Sequence, residues 1–258
     1  MKNFFRALEH HRVRYLLVSG QASILYGAST FSEDIDLWIE PERFNWQAAL
    51  RALEQNEARI YKLTPPLQPG YATRGHGFHF TLPDPDTSVE IYLDIMGLMP
   101  RVGDFKSCFR RARHFDTDWG KIPVLHPHDL VEIKKTRRLI DYTVISALVR
   151  LTCRRTRSFE EWSWGLHHSF EAEDLMILWK EGRPAWKRRL APKREALKIL
   201  MDPKTSNLFK NLSQELAMEI EILREKDRQY WQPIIAELKQ LQKERKLLKE
   251  GLPVRGRA

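Results

Sequence analysis

The sequence predicts an α/β (α+β) protein, with a mixed sheet and flanking helices over residues 1–125 and an all-helical part over 126–258. Three observations lead there. Several segments before residue 125 are compact apolar runs or alternate apolar with polar residues, the period of a strand. Between them lie stretches whose apolar residues recur at the spacing of a helix face. After His126 the alternation stops and only helical spacing remains.

Taken in order, residues 3–10 read as a short amphipathic helix and Tyr15-Leu16-Leu17-Val18 as a buried strand, punctuated by Ser19-Gly20. Gln21 to Tyr26 reads as a helix stopped by Gly27. Ile35-Asp36-Leu37-Trp38-Ile39 alternates and reads as a strand. Residues 42–55 read as a helix with Phe44, Ala48, Leu50 and Leu53 on or near one face. Residues 62–75, rich in Pro, Gly and Thr, read as a loop. Phe78 to Leu82 alternates until Pro83 and Pro85 break it, because Pro cannot donate to a ladder. In Val89–Met96, Val89, Ile91, Leu93 and Ile95 face one way and Glu90, Tyr92, Asp94 and Met96 the other. Residues 116–120 form a turn between short strands near 113–115 and 121–125. Pro127-His128-Asp129-Leu130 starts a helix, with an acid where the helix dipole favours one. Trp162, Trp164, Leu166, Phe170, Leu175, Ile177, Leu178 and Trp179 are dense enough for a helical core. Trp162, Trp164, Trp179 and Trp186 are therefore read as packing residues before base-stacking ones. Residues 211–249 read as one or two long charged helices, with Pro233 at a break or a new first turn. The segment from about 234 to 249, with Leu238, Leu241, Leu247 and Leu248, packs on the protein, pairs with another chain or binds RNA. Residues 251–258 read as a disordered tail.

Composition narrows the function. Of 258 residues 42% are apolar and 30% charged, and eight Trp, twelve Phe and seven Tyr can fill a core, which excludes a disordered chain. No run approaches the ~20 apolar residues of a membrane span, so no membrane association is expected. The charged N-terminus has no signal-peptide pattern. Cys108 and Cys153 alone make neither a disulfide framework nor a multi-Cys zinc site, and a reducing cytoplasm is the expected location. The formal net charge is +9. Residues 1–150 hold 20 basic and 18 acidic side chains, and residues 151–258 hold 23 and 16. That excess suits either a solvated helical face or a polyanion partner.

The chemistry concentrates in three places. At Ser19-Gly20 a strand ends and a helix begins, a turn whose backbone N–H groups can cradle phosphate oxygens. Asp34 and Asp36, two apart on a strand, share one face. Two carboxylates so placed repel unless a cation lies between them, and hard oxygen ligands suit Mg²⁺. Asp94 sits mid-strand among apolar neighbours, expensive unless paired or metal-bound. Lys134 and Asp141 lie seven apart, two helical turns, hence on one face. His76, His79, His126 and His128 lack a completing zinc set and read as turn or surface residues. His167-His168 reads as helix surface or core edge.

In this order, Ser19-Gly20, Asp34-x-Asp36 and Asp94 resemble the DNA-polymerase-β-like nucleotidyltransferase superfamily. Ser19-Gly20-Gln21-Ala22, Gly27 and Asp34-Ile35-Asp36-Leu37-Trp38 are closer to the AbiEii/MenT-type toxin-like nucleotidyltransferases, as is the stretch from Asp129 to Tyr142 with its Lys134 and Asp141. The likeness covers roughly residues 12–148. Ser19 stands where the first Gly of the usual pair would be. The basic residue often found before the Asp-x-Asp is missing at Ala28-Ser29-Thr30-Phe31. The resemblance implies a catalytic core over 1–125 and a helix over 126–148 that completes the nucleotide site. Asp34, Asp36 and Asp94 would be the catalytic and metal residues, holding Mg²⁺ (Mn²⁺ as an alternative). Ser19, Gly20, Gln21, Ser23, Lys134 and Asp141 would bind the NTP substrate, ATP included. The implied reaction moves an NMP from an NTP to a hydroxyl of RNA, such as a tRNA 3′ end, or of a protein. It further implies a toxin of a toxin–antitoxin or phage-defence system with a cognate antitoxin. The competing reading is a non-catalytic nucleotide- or RNA-binding module on a degenerate transferase fold.

Overall fold

The computed structural model describes residues 1–83, 89–154, 158–202 and 206–256. The expected strand break at Pro85 lies outside them; Pro83 is the last residue of its strand. The chain forms two compact units. One comprises Met1–Leu25, Thr30–Ile133 and Tyr230–Ala258, the other Tyr26–Ser29 and Lys134–Gln229.

The first unit holds a seven-stranded mixed sheet. Its strands are β1 (Tyr15–Val18), β2 (Asp34–Ile39), β3 (Arg59–Ile60), β4 (Gly77–Pro83), β5 (Glu90–Met96), β6 (Arg113–Thr117) and β7 (Gly120–Val124), in the order β3-β4-β5-β2-β1-β7-β6. β2 runs parallel to β5 and β1 parallel to β7; the other pairs are antiparallel. Register puts Leu17, Leu37, Ile95 and Phe78 on one face, all buried. Helices α1 (Lys2–His10) and α3 (Arg43–Gln55) cover that face. Phe5 of α1 meets Tyr15, and Trp46 of α3 meets Phe78 with ring centroids 4.9 Å apart. The buried side of α3 runs through Asn45, Trp46, Ala49 and Leu53, while Phe44, expected near the apolar face, is 75% exposed. Its N-cap explains the rotation: Glu42 accepts from the amides of Phe44 and Asn45, which leaves Phe44 at the solvent edge of the first turn.

The opposite face carries Asp34, Asp36 and Asp94. This unit also holds α2 (Ser19–Leu25), α4 (Pro69–Thr73), α5 (Phe105–Arg110) and α6 (Pro127–Ile133), and Phe105 of α5 meets Trp38, which shares the face of Asp36, with ring centroids 5.4 Å apart. α4 replaces part of the loop expected over 62–75, with Pro69 at its first position, where a missing N–H costs nothing.

The second unit is helical throughout its described residues. It contains α7 (Ile140–Cys153), α8 (Phe159–His168), α9 (Ala172–Glu181), α10 (Pro184–Leu190), a 3₁₀ turn at Ala191–Lys193, α11 (Glu195–Met201) and the first part of α12 (Leu208–Lys243). Trp162 and Trp179 are buried; Trp162 donates to the Leu178 carbonyl at 2.7 Å, as a packing role predicts. Buried Arg194 donates to the carbonyls of Leu166 and Ser169 and pairs with Glu219.

Three expectations are corrected. Pro233 breaks nothing, since α12 is one helix of 36 residues with Pro233 inside it; a single missing N–H is carried by the turns around it. That helix ends at Lys243, so Leu247 and Leu248 lie beyond it. The tail is not a free end up to Gly256. It returns to the sheet edge, where Gly251 and Val254 donate to the carbonyls of Ile60 and Ala58, Ile60 donates to Leu252, and Leu248 donates to Thr64. Arg257 and Ala258 lie outside the described residues.

Candidate active site

Parallel pairing of β2 with β5 sets Asp34 opposite Tyr92 and Asp36 opposite Asp94, and Val18 of β1 stands opposite Asp36. Residues facing each other across a ladder project from the same side. Asp34, Asp36 and Asp94 therefore emerge together, and each offers a carboxylate oxygen, all within 4.8 Å of one another. All three are half-buried. Like charges at that spacing repel strongly where water is partly excluded. A hard divalent cation would reverse the sign of that energy, and a purely carboxylate donor set suits Mg²⁺ or Mn²⁺ rather than a soft metal.

The Ser19-Gly20 turn lies at the end of β1, on the β1 side of this cluster. Ser19 has φ +56°, in the left-handed region that favours glycine. Gly20 answers a different need. A Cβ there would fall 2.1 Å from the Ser32 hydroxyl oxygen. Glycine lets Ser32 reach in, and the Ser32 hydroxyl lies 3.1 Å from the Asp34 carbonyl and 3.2 Å from its carboxylate. The Gln21 amide donates to the Ser32 carbonyl at 3.4 Å. The Ser23 hydroxyl, fully buried, donates to the Ser19 carbonyl at 2.8 Å and so holds the turn.

Two contributors escaped the sequence reading. Ser32 is one. The other is His79, which lies in the expected strand but, read as a turn or surface residue, was given no role; in β4 it stands opposite Asp94. Its Nδ1–H donates to Asp94 Oδ1 at 2.7 Å, the tautomer an ionised acceptor requires. Its backbone N–H is held by the Thr64 hydroxyl at 3.1 Å. A Cβ at Gly77 would approach the imidazole to 3.3 Å, so glycine leaves room for the ring. The Phe78-His79-Phe80 alternation signals that His79 faces away from the core; that Asp94 lies opposite depends on register, which no local pattern encodes. His76 is buried instead, its Nε2 on Glu237 of α12 at 2.8 Å.

Lys134 and Asp141 belong to the second unit. The continuous helix expected through them does not form: α6 stops at Ile133 and α7 starts at Ile140. The intervening turn brings the two together. Lys134 Nζ donates to Asp141 Oδ1 at 3.0 Å, and both residues are buried. Thr136 and Arg138 donate to Asp141 Oδ2. Burial pushes the Asp141 carboxyl up, but the Lys134 ammonium, the Thr136 hydroxyl and the Arg138 guanidinium together hold it below its ordinary value.

The cysteines are poor nucleophiles. Burial pushes the Cys108 thiol up to about 11 and the Cys153 thiol to about 12. Among the described residues no helix is long and apolar enough to cross a membrane.

Compared with known proteins, the chain matches no family model and no curated protein. Among solved structures it is similar to an antigenic nucleotidyltransferase-like protein from Paracoccidioides brasiliensis, with 14% identity and a TM-score of 0.32 over 92% of this chain and 88% of that one. A likeness at that score carries no weight for fold or chemistry, which rest on the geometry above.

Proposed function

We propose that the protein is a metal-dependent nucleotidyltransferase that moves an NMP from an NTP to a hydroxyl and releases pyrophosphate. The observation that carries this reading is the gathering of Asp34, Asp36 and Asp94, oxygens within 4.8 Å, beside the Ser19-Gly20 turn. A divalent cation bound there supplies charge neutralisation at the transferring phosphoryl group. The chain's part is positioning. Asp34 and Asp36 hold the ion, with Ser32 fixing Asp34. Asp94, oriented by His79, shares the ion and directs the attacking hydroxyl. Ser19, Gly20 and Gln21 form the cradle for the β- and γ-phosphates, and Ser23 ties that cradle down. Lys134, held by Asp141 within the helical unit, is the cation that the resemblance assigns to the triphosphate.

The acceptor we favour is RNA, a tRNA 3′ end among the candidates, over a protein hydroxyl. Between residues 180 and 198 eight side chains are Lys or Arg and two are acidic, a polyanion-attracting stretch. Membership of the AbiEii/MenT-type toxins, with a cognate antitoxin, extends the same reading. Co-elution of the chain with the product of a neighbouring gene tests it.

The deciding experiment incubates the protein with each α-labelled NTP, Mg²⁺ or Mn²⁺ and total tRNA, beside Asp36→Asn. Label reaching RNA or protein with the wild type alone supports transfer and names the base and acceptor. NTP binding without label anywhere would turn the reading to a non-catalytic binding module.

A further inference from the structure

On the sheet face that carries the carboxylates, the strands beyond β5 present aromatic side chains. Tyr92 precedes Asp94 by two residues on β5, hence shares its face, and stands opposite Asp34 in the ladder. Tyr61 follows β3 and its N–H donates to the His79 carbonyl at 2.8 Å. The two rings meet across β4 with centroids 4.8 Å apart and planes tilted by 40°. Lys62 Nζ lies 4.7 Å from the Tyr61 ring centroid. Thr81, opposite Tyr92 on β4, is buried beneath. Tyr92 nevertheless remains 38% accessible, directly opposite Asp34 of the carboxylate cluster. An exposed aromatic shelf with an ammonium on it takes flat, electron-rich rings attached to a phosphate chain.

Position on the sheet says which ring. In the order β4-β5-β2-β1, the Ser19-Gly20 turn lies on the β1 side of the carboxylates and the tyrosines on the β4 side. In-line displacement at phosphorus demands that attacking and leaving oxygens stand on opposite sides. With the pyrophosphate at the turn, as the nucleotidyltransferase reading on which this inference rests has it, the attacking hydroxyl arrives over β5 from the tyrosine side, past Asp94. We propose that Tyr92 and Tyr61, with Lys62, form the acceptor subsite, and that it takes the terminal nucleobase of a single-stranded nucleic-acid end whose hydroxyl attacks beside Asp94. Lys62 meets the backbone phosphate of that nucleotide. A protein acceptor has no base to place on the shelf and gains nothing from it.

The test is binding without turnover. A 5′-labelled single-stranded RNA hexamer is titrated with the full chain in Mg²⁺ without NTP, once with an intact 3′-terminal nucleotide and once with that nucleotide abasic. Fluorescence anisotropy reads both. The wild type is expected to prefer the intact end by about 5- to 150-fold, the range for stacking one base on an aromatic ring. Tyr92→Leu and Tyr61→Leu remove the preference, Tyr92→Phe and Tyr92→Trp keep it, and Lys62→Gln weakens both oligonucleotides alike. In the transfer assay Tyr92→Leu raises KM for the RNA and leaves KM for the NTP unchanged. Should Tyr92→Leu fail to give a cooperative thermal transition, Tyr61→Leu, outside the β4–β5 ladder, reads the same preference. Equal binding of the two oligonucleotides by the wild type overturns the proposal. So does a preference that survives the leucine variants, or a rise in KM for the NTP instead. A preference that holds while no label is transferred to any acceptor overturns the enzyme reading and leaves the shelf standing as a nucleobase site.

Discussion

Asp141 in the helical unit accepts from Lys134, Thr136 and Arg138, and its negative charge is answered inside the chain. In the sheet unit the carboxylates of Asp34, Asp36 and Asp94 instead face one another within 4.8 Å, steadied by a hydroxyl from Ser32 and a ring N–H from His79. The same residue type thus serves two ends. Where the balancing cation is covalently part of the protein, removing either partner strands a buried charge, and stability depends on both. Where like charges gather, removing one relieves repulsion, and what suffers is the capacity to bind a cation. Each substitution below presses on that contrast.

The largest effect is expected from Asp36→Asn. Transfer should fall by about a thousandfold or more, since charge neutralisation by a bound ion is worth several kcal/mol of barrier. The rise in melting temperature that Mg²⁺ produces in the wild type should vanish. A variant that keeps the Mg²⁺-induced rise would take Asp36 out of the cation site and erase the distinction. Asp141→Ala is expected to do the reverse, costing about 3–5 kcal/mol by leaving Lys134 buried and unanswered. The measurement is hydrogen exchange of the α7–α9 amides. The same carboxyl gives a pH dependence. Its value is lower folded than unfolded, so its contribution is complete above about pH 4 and is lost as pH falls through the folded value. In Asp141→Asn that acid-side loss of protection should be absent.

Gly20→Ala should cost about 1–3 kcal/mol, the usual range for overpacking, because its Cβ would collide with Ser32. Thermal melts and Mn²⁺ affinity should fall together as Ser32 leaves Asp34, and adding Ser32→Gly should restore the melting temperature but not the affinity. Smallest of all, Ser19→Gly should raise stability by about 1 kcal/mol by relieving a left-handed residue, read as a few degrees in the melt.

The local elements were largely legible because their signals are local. Alternation located β2, β4 and β5, apolar runs located β1, and the Asp-x-Asp spacing on a strand was enough to put Asp34 and Asp36 on one face. Meeting Asp94 required strand order, which the resemblance supplied and the parallel β2–β5 pairing realises. What remained hidden depends on distant contacts. His79 gains its role only from register, and Ser32 only from the close approach that Gly20 permits. The two-residue β3 is too short for any period to register and exists because β4 and the chain's last residues flank it. Lys134 and Asp141 were paired for the wrong geometric reason: helical spacing suggested one face, whereas a turn joins them.

The returning tail has a consequence for synthesis. A ribosome releases the first 133 residues long before residues 248–254, yet β3 lies at the sheet edge that those last residues cover. Until they emerge, the nascent sheet carries a bare edge beside the strands of the Asp94 site, the kind of surface that recruits stray strands and chaperones. A gene fragment stopping after the sheet would leave that edge bare permanently.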